Sequence, residues 1–206
     1  MGSSLYYQCI GINRTEEDLK NYPQMAGSGL GDYIYKDIDE NGKIDAKDML
    51  RSDLNTIPQI VFGLTANFQY KNFDLSILFQ GQSLARLHYP PLQAPLEGNI
   101  TKEMATQSWN LDRPDAKYGR INSTNNRKES TMWLRNASFL RLKNVELGYN
   151  FSGKALKTVG VKGLRLYIGG YNLFTITGLK ELDPETNNEA TYPLMRVFNT
   201  GVKVTF

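Results

Sequence analysis

Ile60-Val61-Phe62-Gly63-Leu64-Thr65-Ala66-Asn67-Phe68-Gln69-Tyr70, followed by Lys71-Asn72 and then Phe73-Asp74-Leu75-Ser76-Ile77-Leu78-Phe79-Gln80, is the stretch that decides the fold. Phe62, Leu64, Ala66, Phe68 and Tyr70 alternate with Gly63, Thr65, Asn67 and Gln69. After the tight Lys71-Asn72 connection, Phe73, Leu75, Ile77 and Phe79 alternate with Asp74, Ser76 and Gln80. Successive strand side chains point to opposite faces, so this period of two gives each run one apolar and one polar face, and the pair reads as an antiparallel hairpin. Length adds information that alternation alone lacks. Globular strands average about 5–6 residues, whereas strands of about 9–11 residues are needed to cross a bilayer at a tilt, and these runs have the longer dimension.

Outward from the hairpin, the same pattern returns at 139–151, 164–174 and 197–206. Leu164, Leu166 and Ile168 oppose Arg165, Tyr167 and Gly169, while Phe198, Val202, Val204 and Phe206 oppose Asn199, Gly201, Lys203 and Thr205. The strand at 139–151 changes parity near Lys143-Asn144, which reads as a β-bulge. With a further strand over Ser3 to Ile10, the sequence supplies about six strands. Thr15-Glu16-Glu17-Asp18 places a capping hydroxyl three residues before an acid and starts a short helix that ends near Tyr22-Pro23. Between the hairpin and the later strands lies the irregular stretch 81–130, with Pro90-Pro91, Pro95 and a short helix expected over Thr101 to Trp109. A loop of that size is foreign to a compact domain and ordinary in an outer-membrane barrel, where long loops lie outside. The sequence divides at 59/60, with 1–59 a strand plus loop and 60–206 the strand-bearing part.

Composition narrows the function classes. A net charge of +3 with interspersed signs gives no nucleic-acid footprint. The single Cys9 allows no internal disulfide, and the single His88 excludes His-rich zinc sites and weakens the case for a triad. No paired acid and base is positioned by any motif, so an enzyme is not expected. No run of about 18 uncharged apolar residues exists for a helical span. Tyr is abundant within the alternating segments, as a barrel with interfacial aromatic girdles requires. A soluble secreted β-sandwich, a carbohydrate-binding or adhesion module with a calcium loop, also explains the alternation, but not the long strands or the irregular stretch.

One local constellation carries cation chemistry. Asp37, Asp39, Asn41, Lys43, Asp45 and Asp48 fall at positions 1, 3, 5, 7, 9 and 12 of a calcium loop, with Gly42 at the sharp turn. Lys43 offers only its backbone carbonyl, and Asp48 stands where a bidentate Glu is usual. The segment reads equally as a solvated Asp/Asn/Gly turn. Trp109, Tyr118 and Trp133, with Tyr89, are the aromatic candidates for stacking on a sugar ring; loop packing or girdle placement is the alternative for each.

The quoted segments, taken in order, resemble the SusC/RagA outer-membrane transporters from about Tyr33 to Phe206. The resemblance runs through Tyr35-Lys36-Asp37-Ile38-Asp39-Glu40-Asn41-Gly42-Lys43-Ile44-Asp45, Tyr70-Lys71-Asn72-Phe73-Asp74-Leu75-Ser76, and Trp109 with Pro114-Asp115-Ala116-Lys117-Tyr118. It continues through Ser138-Phe139-Leu140-Arg141-Leu142-Lys143-Asn144-Val145-Glu146-Leu147-Gly148-Tyr149, Asn172-Leu173-Phe174-Thr175, Leu182-Asp183-Pro184-Glu185 and Val202-Lys203-Val204-Thr205-Phe206. It implies an all-β chain that forms the C-terminal strands of a transmembrane β-barrel of the plugged class, about 22 strands in all, in a Gram-negative outer membrane. It also implies an N-terminal plug and a TonB-contacting segment outside this sequence, a SusD-like surface lipoprotein as partner, and uptake of an oligosaccharide or peptide. Arg165, Glu146 and Lys203 would then face the lumen. About six strands cannot close a barrel, and open edges are costly in lipid, so the chain is expected to be part of a larger protein.

Overall fold

The computed structural model describes residues 4–53, 56–89, 100, 102–151, 156, 160–180, 182–186, 192 and 194–206. Pro90-Pro91, Pro95, Thr101 and Ser3, which figure in the sequence reading, lie outside these residues. The chain forms two compact units, Met1–Thr56 with Leu87–Arg135, and Ile57–Arg86 with Asn136–Phe206. Residues 1–56 thus share a unit with most of the irregular stretch, while 57–59 go with the sheet.

The second unit is a five-stranded antiparallel sheet. Its strands are β5 (Ile60–Tyr70), β6 (Phe73–Ser83), β9 (Phe139–Phe151), β10 (Gly163–Thr177) and β11 (Val197–Thr205), in the spatial order β11-β10-β9-β6-β5. They run to 11, 11, 13, 15 and 9 residues, the long class expected from the sequence. Lys71 takes φ 53°, the left-handed conformation that a tight hairpin needs at its first central residue. Register keeps like with like: Phe68 pairs with Leu75, Leu75 with Leu147, Leu147 with Ile168, and Leu166 with Val202. One continuous apolar face therefore crosses all five strands. The expected bulge is present. Phe79 pairs with Leu142 and Leu78 with Asn144, which leaves Lys143 as the extra residue of β9. Without it, half of β9 would turn its apolar residues to the polar side; with it, Leu142 and Val145 share one face. On the β10 side the same shift falls between Tyr171 and Phe174, with Asn172 at φ 53°.

The first unit is built from short pieces. These are β1 (Leu5–Tyr7) paired with β4 (Met49–Arg51), β2 (Cys9–Ile12) paired with β3 (Tyr33–Tyr35), α1 (Glu16–Asn21) and α2 (Lys102–Gln107). β7 (Arg86–His88) and β8 (Leu134–Asn136), where the chain passes between units, pair with each other. The strand expected over Ser3 to Ile10 is split into β1 and β2 and adds nothing to the large sheet, so five strands stand where about six were expected. Thr15 and Asp18 close the predicted capping box, each accepting a backbone N–H of the other's residue. The core of this unit is aromatic, with Tyr7, Tyr33, Tyr35, Tyr118 and Trp133 around Ile12, Ile44 and Met104. Buried Asn126 ties its loops together: Oδ1 accepts from Tyr33 N at 2.7 Å, while Nδ2 donates to Gly31 O and Arg120 O, both at 3.0 Å.

The polar face of the large sheet carries its own cross-strand architecture. Arg165 of β10 reaches over β9 to Asp74 of β6 and bonds Glu146 at 2.8 Å. It can do so because Gly148 lies beneath it; a Cβ there would stand 2.4 Å from Arg165 Nη2. Gly148→Val is expected to push the guanidinium off Asp74 and Glu146, leaving two half-exposed carboxylates side by side. The cost is about 1–2 kcal/mol, discounted for their solvent access. Urea-induced unfolding of Gly148→Val against the parent measures it, and Gly148→Val in an Arg165→Met background should add little if the pair is the cause.

Candidate functional site

The acidic loop sits between β3 and β4 and is anchored in its C-terminal half. Ile44 is buried in the aromatic core, and Asp48 is fully buried at the end of the short 3-10 turn Ala46–Asp48. Gly42 (φ 78°) makes the turn that the sequence assigned to it, beside Glu40 at φ 58°. Asp37 Oδ2 accepts from Gly42 N at 2.7 Å, Asp48 Oδ1 from Ile38 N at 2.7 Å, and Asp48 Oδ2 from Asp45 N at 2.8 Å. These donors fold the loop inward on its carboxylates. One oxygen from each of Asp37, Asp39 and Asp48 lies within 4.8 Å of the others, and such an arrangement of oxygens can coordinate a metal ion. Among the described residues, no Lys or Arg forms an ion pair with any of the three. The Asp45 N–H, followed by those of Ile38 and Asp39, holds the Asp48 carboxyl below the usual carboxylate range against the opposing effect of burial.

The other expected ligand positions take different roles. Asn41 donates from Nδ2 to Asp39 at 2.9 Å and accepts from Lys43 N at 2.9 Å. Asp45 caps the 3-10 turn, accepting from Lys47 N at 2.8 Å, and stands outside the triple. The chain code placed all six positions on one loop; which of them converge depends on the 3-10 turn, for which the Asp45-to-Asp48 spacing is a capping signal.

The aromatic candidates separate. Trp133 is 0% and Tyr118 2% exposed, their rings stacked at 6.2 Å between centroids, and Tyr89 is buried as well. Their ring faces are spent on the core, which removes the open platform that a sugar needs. Trp109 alone of these is half-buried. Its ring packs on Gly31, where any Cβ would meet it at 2.3 Å, and it borders an open cleft of about 630 Å³ together with Asn110, Asp112, Arg120 and Asn122. Cys9, also half-buried, has its thiol pushed up to about 11 by burial, which favours the protonated thiol.

The large sheet presents the second functional surface, and its polarity is inverted relative to a soluble sheet. Leu64 is 62%, Ile168 58% and Phe198 78% exposed on the apolar face, while the opposite face carries the ion-paired Arg165 and the almost fully covered Arg141. Among the described residues, none of the other sheets exceeds two strands. No helix of the described residues is long and apolar enough to cross a membrane, a statement that does not bear on strands.

A long-stranded antiparallel β-sheet with an exposed apolar face defines the fold class, and the solved structures bear on it directly. The chain matches the RagAB peptide transporter with a TM-score of 0.75 at 22% identity, over 99% of this chain and 23% of that one. It matches the open-open state of the RagAB peptide importer with a TM-score of 0.73. In sequence it is homologous, at low identity, to TonB-dependent receptors. It is 28% identical over 193 residues to the TonB-dependent receptor SusC of Bacteroides thetaiotaomicron, covering 84% of this chain and 19% of that protein. It is 27% identical over 231 residues to TonB-dependent receptor P3 of Formosa agariphila, covering 100% of this chain and 22% of the relative. No protein-family model matches. The chain thus spans about a fifth of the length of these curated relatives. Each of these relatives is a TonB-dependent receptor.

Proposed function

We propose that the chain is a sector of an outer-membrane, TonB-dependent transporter. The five-stranded sheet forms part of a transmembrane β-barrel of the large plugged class, and the aromatic unit is formed by its extracellular loops. The observation that carries this reading is the inverted polarity of the sheet. Its apolar residues are aligned in register across five strands and left open, whereas Asp74, Arg141, Glu146 and Arg165 are ion-paired on the other face; lipid outside and a polar lumen inside demand that arrangement. On this reading the whole protein imports an oligosaccharide or a peptide, is lidded by a SusD-like lipoprotein, and is driven by TonB through a region outside this chain. Trp109 is the residue of the aromatic set left to touch substrate. Fractionation of cells that carry the protein tests the localisation. Recovery with outer membranes, resistant to alkaline carbonate, is expected; recovery in the soluble fraction sinks the proposal.

Within this reading the Asp37–Asp48 loop holds calcium and stiffens the extracellular unit. Hard oxygens from a short loop suit this ion, and the shorter Asp48 in place of Glu leaves room for water. Binding only to the folded state, at about ten times the dissociation constant, stabilises by about 1.4 kcal/mol and raises the melting temperature by roughly 3–6 °C. Asp39→Asn should abolish most of that rise. Since Asp39 is exposed, it should leave the calcium-free melting point nearly unchanged. An equal rise with magnesium, or in the variant, would speak for a solvated turn.

A further inference from the structure

Residues 178–180 and 182–186, which follow β10, do not simply run off the end of the sheet. Leu179 is buried, and its N–H donates to Thr177 Oγ1, which itself donates to Ser138 O, just ahead of β9, at 3.0 Å. Asp183 Oδ1 accepts from Glu185 N at 3.0 Å and Asp183 O accepts from Thr186 N at 3.0 Å, a tight turn around Pro184 that aims both acids the same way. They meet cations of β9. Arg141 Nη2 donates to both oxygens of Asp183 at 2.7 and 2.8 Å, Arg141 Nη1 donates to Glu185, and Lys143 Nζ reaches Glu185 at 3.1 Å. Arg141 Nε is fixed by Thr175 Oγ1 at 2.8 Å, and its guanidinium lies over the Phe139 ring at 5.3 Å. The Arg141 side chain is 2% exposed.

Register places Arg141 between Gln80 and Thr175, on the same face as the Arg165 cluster. A guanidinium so deeply covered keeps its charge only while its carboxylates remain, and loss of one partner leaves the other uncompensated. Two acids, two cations and a buried leucine thus hold one segment against the polar face. We propose that Arg141 is a positioning residue that latches 178–180 and 182–186 as an inward strap on this face. The strap then lines the conduit wall and stays out of the bulk solvent beyond the sheet's end. The last step rests on the barrel reading; the latch itself does not.

Two measurements separate them. Hydrogen exchange of the purified protein in detergent should show amides of 178–180 and 182–186 exchanging on the order of a hundredfold faster in Arg141→Gln, with β5, β6 and β9 unchanged. Asp183→Asn should act in the same direction, and the swap Arg141→Asp with Asp183→Arg should recover part of the protection. Unchanged exchange in both single variants overturns the latch. For the location, Thr186→Cys in a Cys9→Ser background is labelled on intact cells with a small maleimide and with a polymer-bearing one too bulky to enter a barrel. The parent should take only the small reagent, and adding Arg141→Gln should admit the bulky one. Equal labelling of the parent by both reagents overturns the inward placement. A protein that fails to fractionate with membranes fails the barrel reading, while the exchange result still decides the latch.

Discussion

Leu64→Arg is expected to cost the membrane-embedded protein about 2–4 kcal/mol, whereas Thr65→Arg, one residue along the same strand, should cost less than about 1 kcal/mol. Both positions sit at the middle of β5, where strand depth in a bilayer is greatest, and they differ only in the face that they occupy. Leu64 pairs with Phe79 in the apolar stripe, and Thr65 lies on the polar side. The experiment is folding into lipid vesicles from urea, with the midpoint read for parent and both variants. What gives the pair its force is that the sign depends on the solvent. If the apolar face met water, Leu64→Arg would replace an exposed hydrophobe with a charge and would leave stability within about 0.5 kcal/mol and solubility improved. Equal effects of the two arginines would show that neither face contacts lipid, and the transporter reading would lose its main support.

That test is possible because the faces were legible in the sequence. Period two in 60–80, 164–168 and 198–206 assigned each side chain to a side, and even the bulge at Lys143 could be located from the parity change in 139–151. Local pattern suffices where every residue obeys one rule. It failed where partners are distant. Nothing near Leu5–Ile12 tells that its two short strands pair with 33–35 and 49–51 and not with the large sheet, since alternation over three or four residues has no length to discriminate. The acidic loop was legible as a motif, because its ligand spacing is local. The convergence of only Asp37, Asp39 and Asp48 was not, since it depends on where the 3-10 turn and the buried Ile44 fix the loop's far end. Arg141 carried no signal of its own. Its acids lie more than forty residues away in sequence, and only the return of the chain over the polar face brings them together.

The same limit explains Trp133, and it leads to the largest single loss of stability expected in the loop-rich unit. From sequence Trp133 reads either as a platform for a sugar ring or as loop or girdle packing, and in the structure it is fully enclosed. It stacks on Tyr118, meets Tyr33 edge to face at 5.8 Å, and donates from Nε1 to Asn126 O at 3.2 Å. Asn126 is the residue that ties three loops of this unit, so removing the indole both opens a cavity and frees that carbonyl. Trp133→Ala should therefore destabilise by about 3–5 kcal/mol, the range for deleting a buried large aromatic. Unit-resolved hydrogen exchange should register the loss in β3, α2 and the Asn126 segment, with the sheet amides far less affected. Trp109→Ala, which removes a half-buried ring, should cost markedly less. Because these are the two tryptophans of the chain, Trp109→Phe leaves Trp133 as the reporter, with emission expected in the blue and shifting red only on unfolding. Should Trp133→Ala keep parental exchange protection and lose only affinity for a transported solute, the residue would be a binding platform and the core assignment would fall.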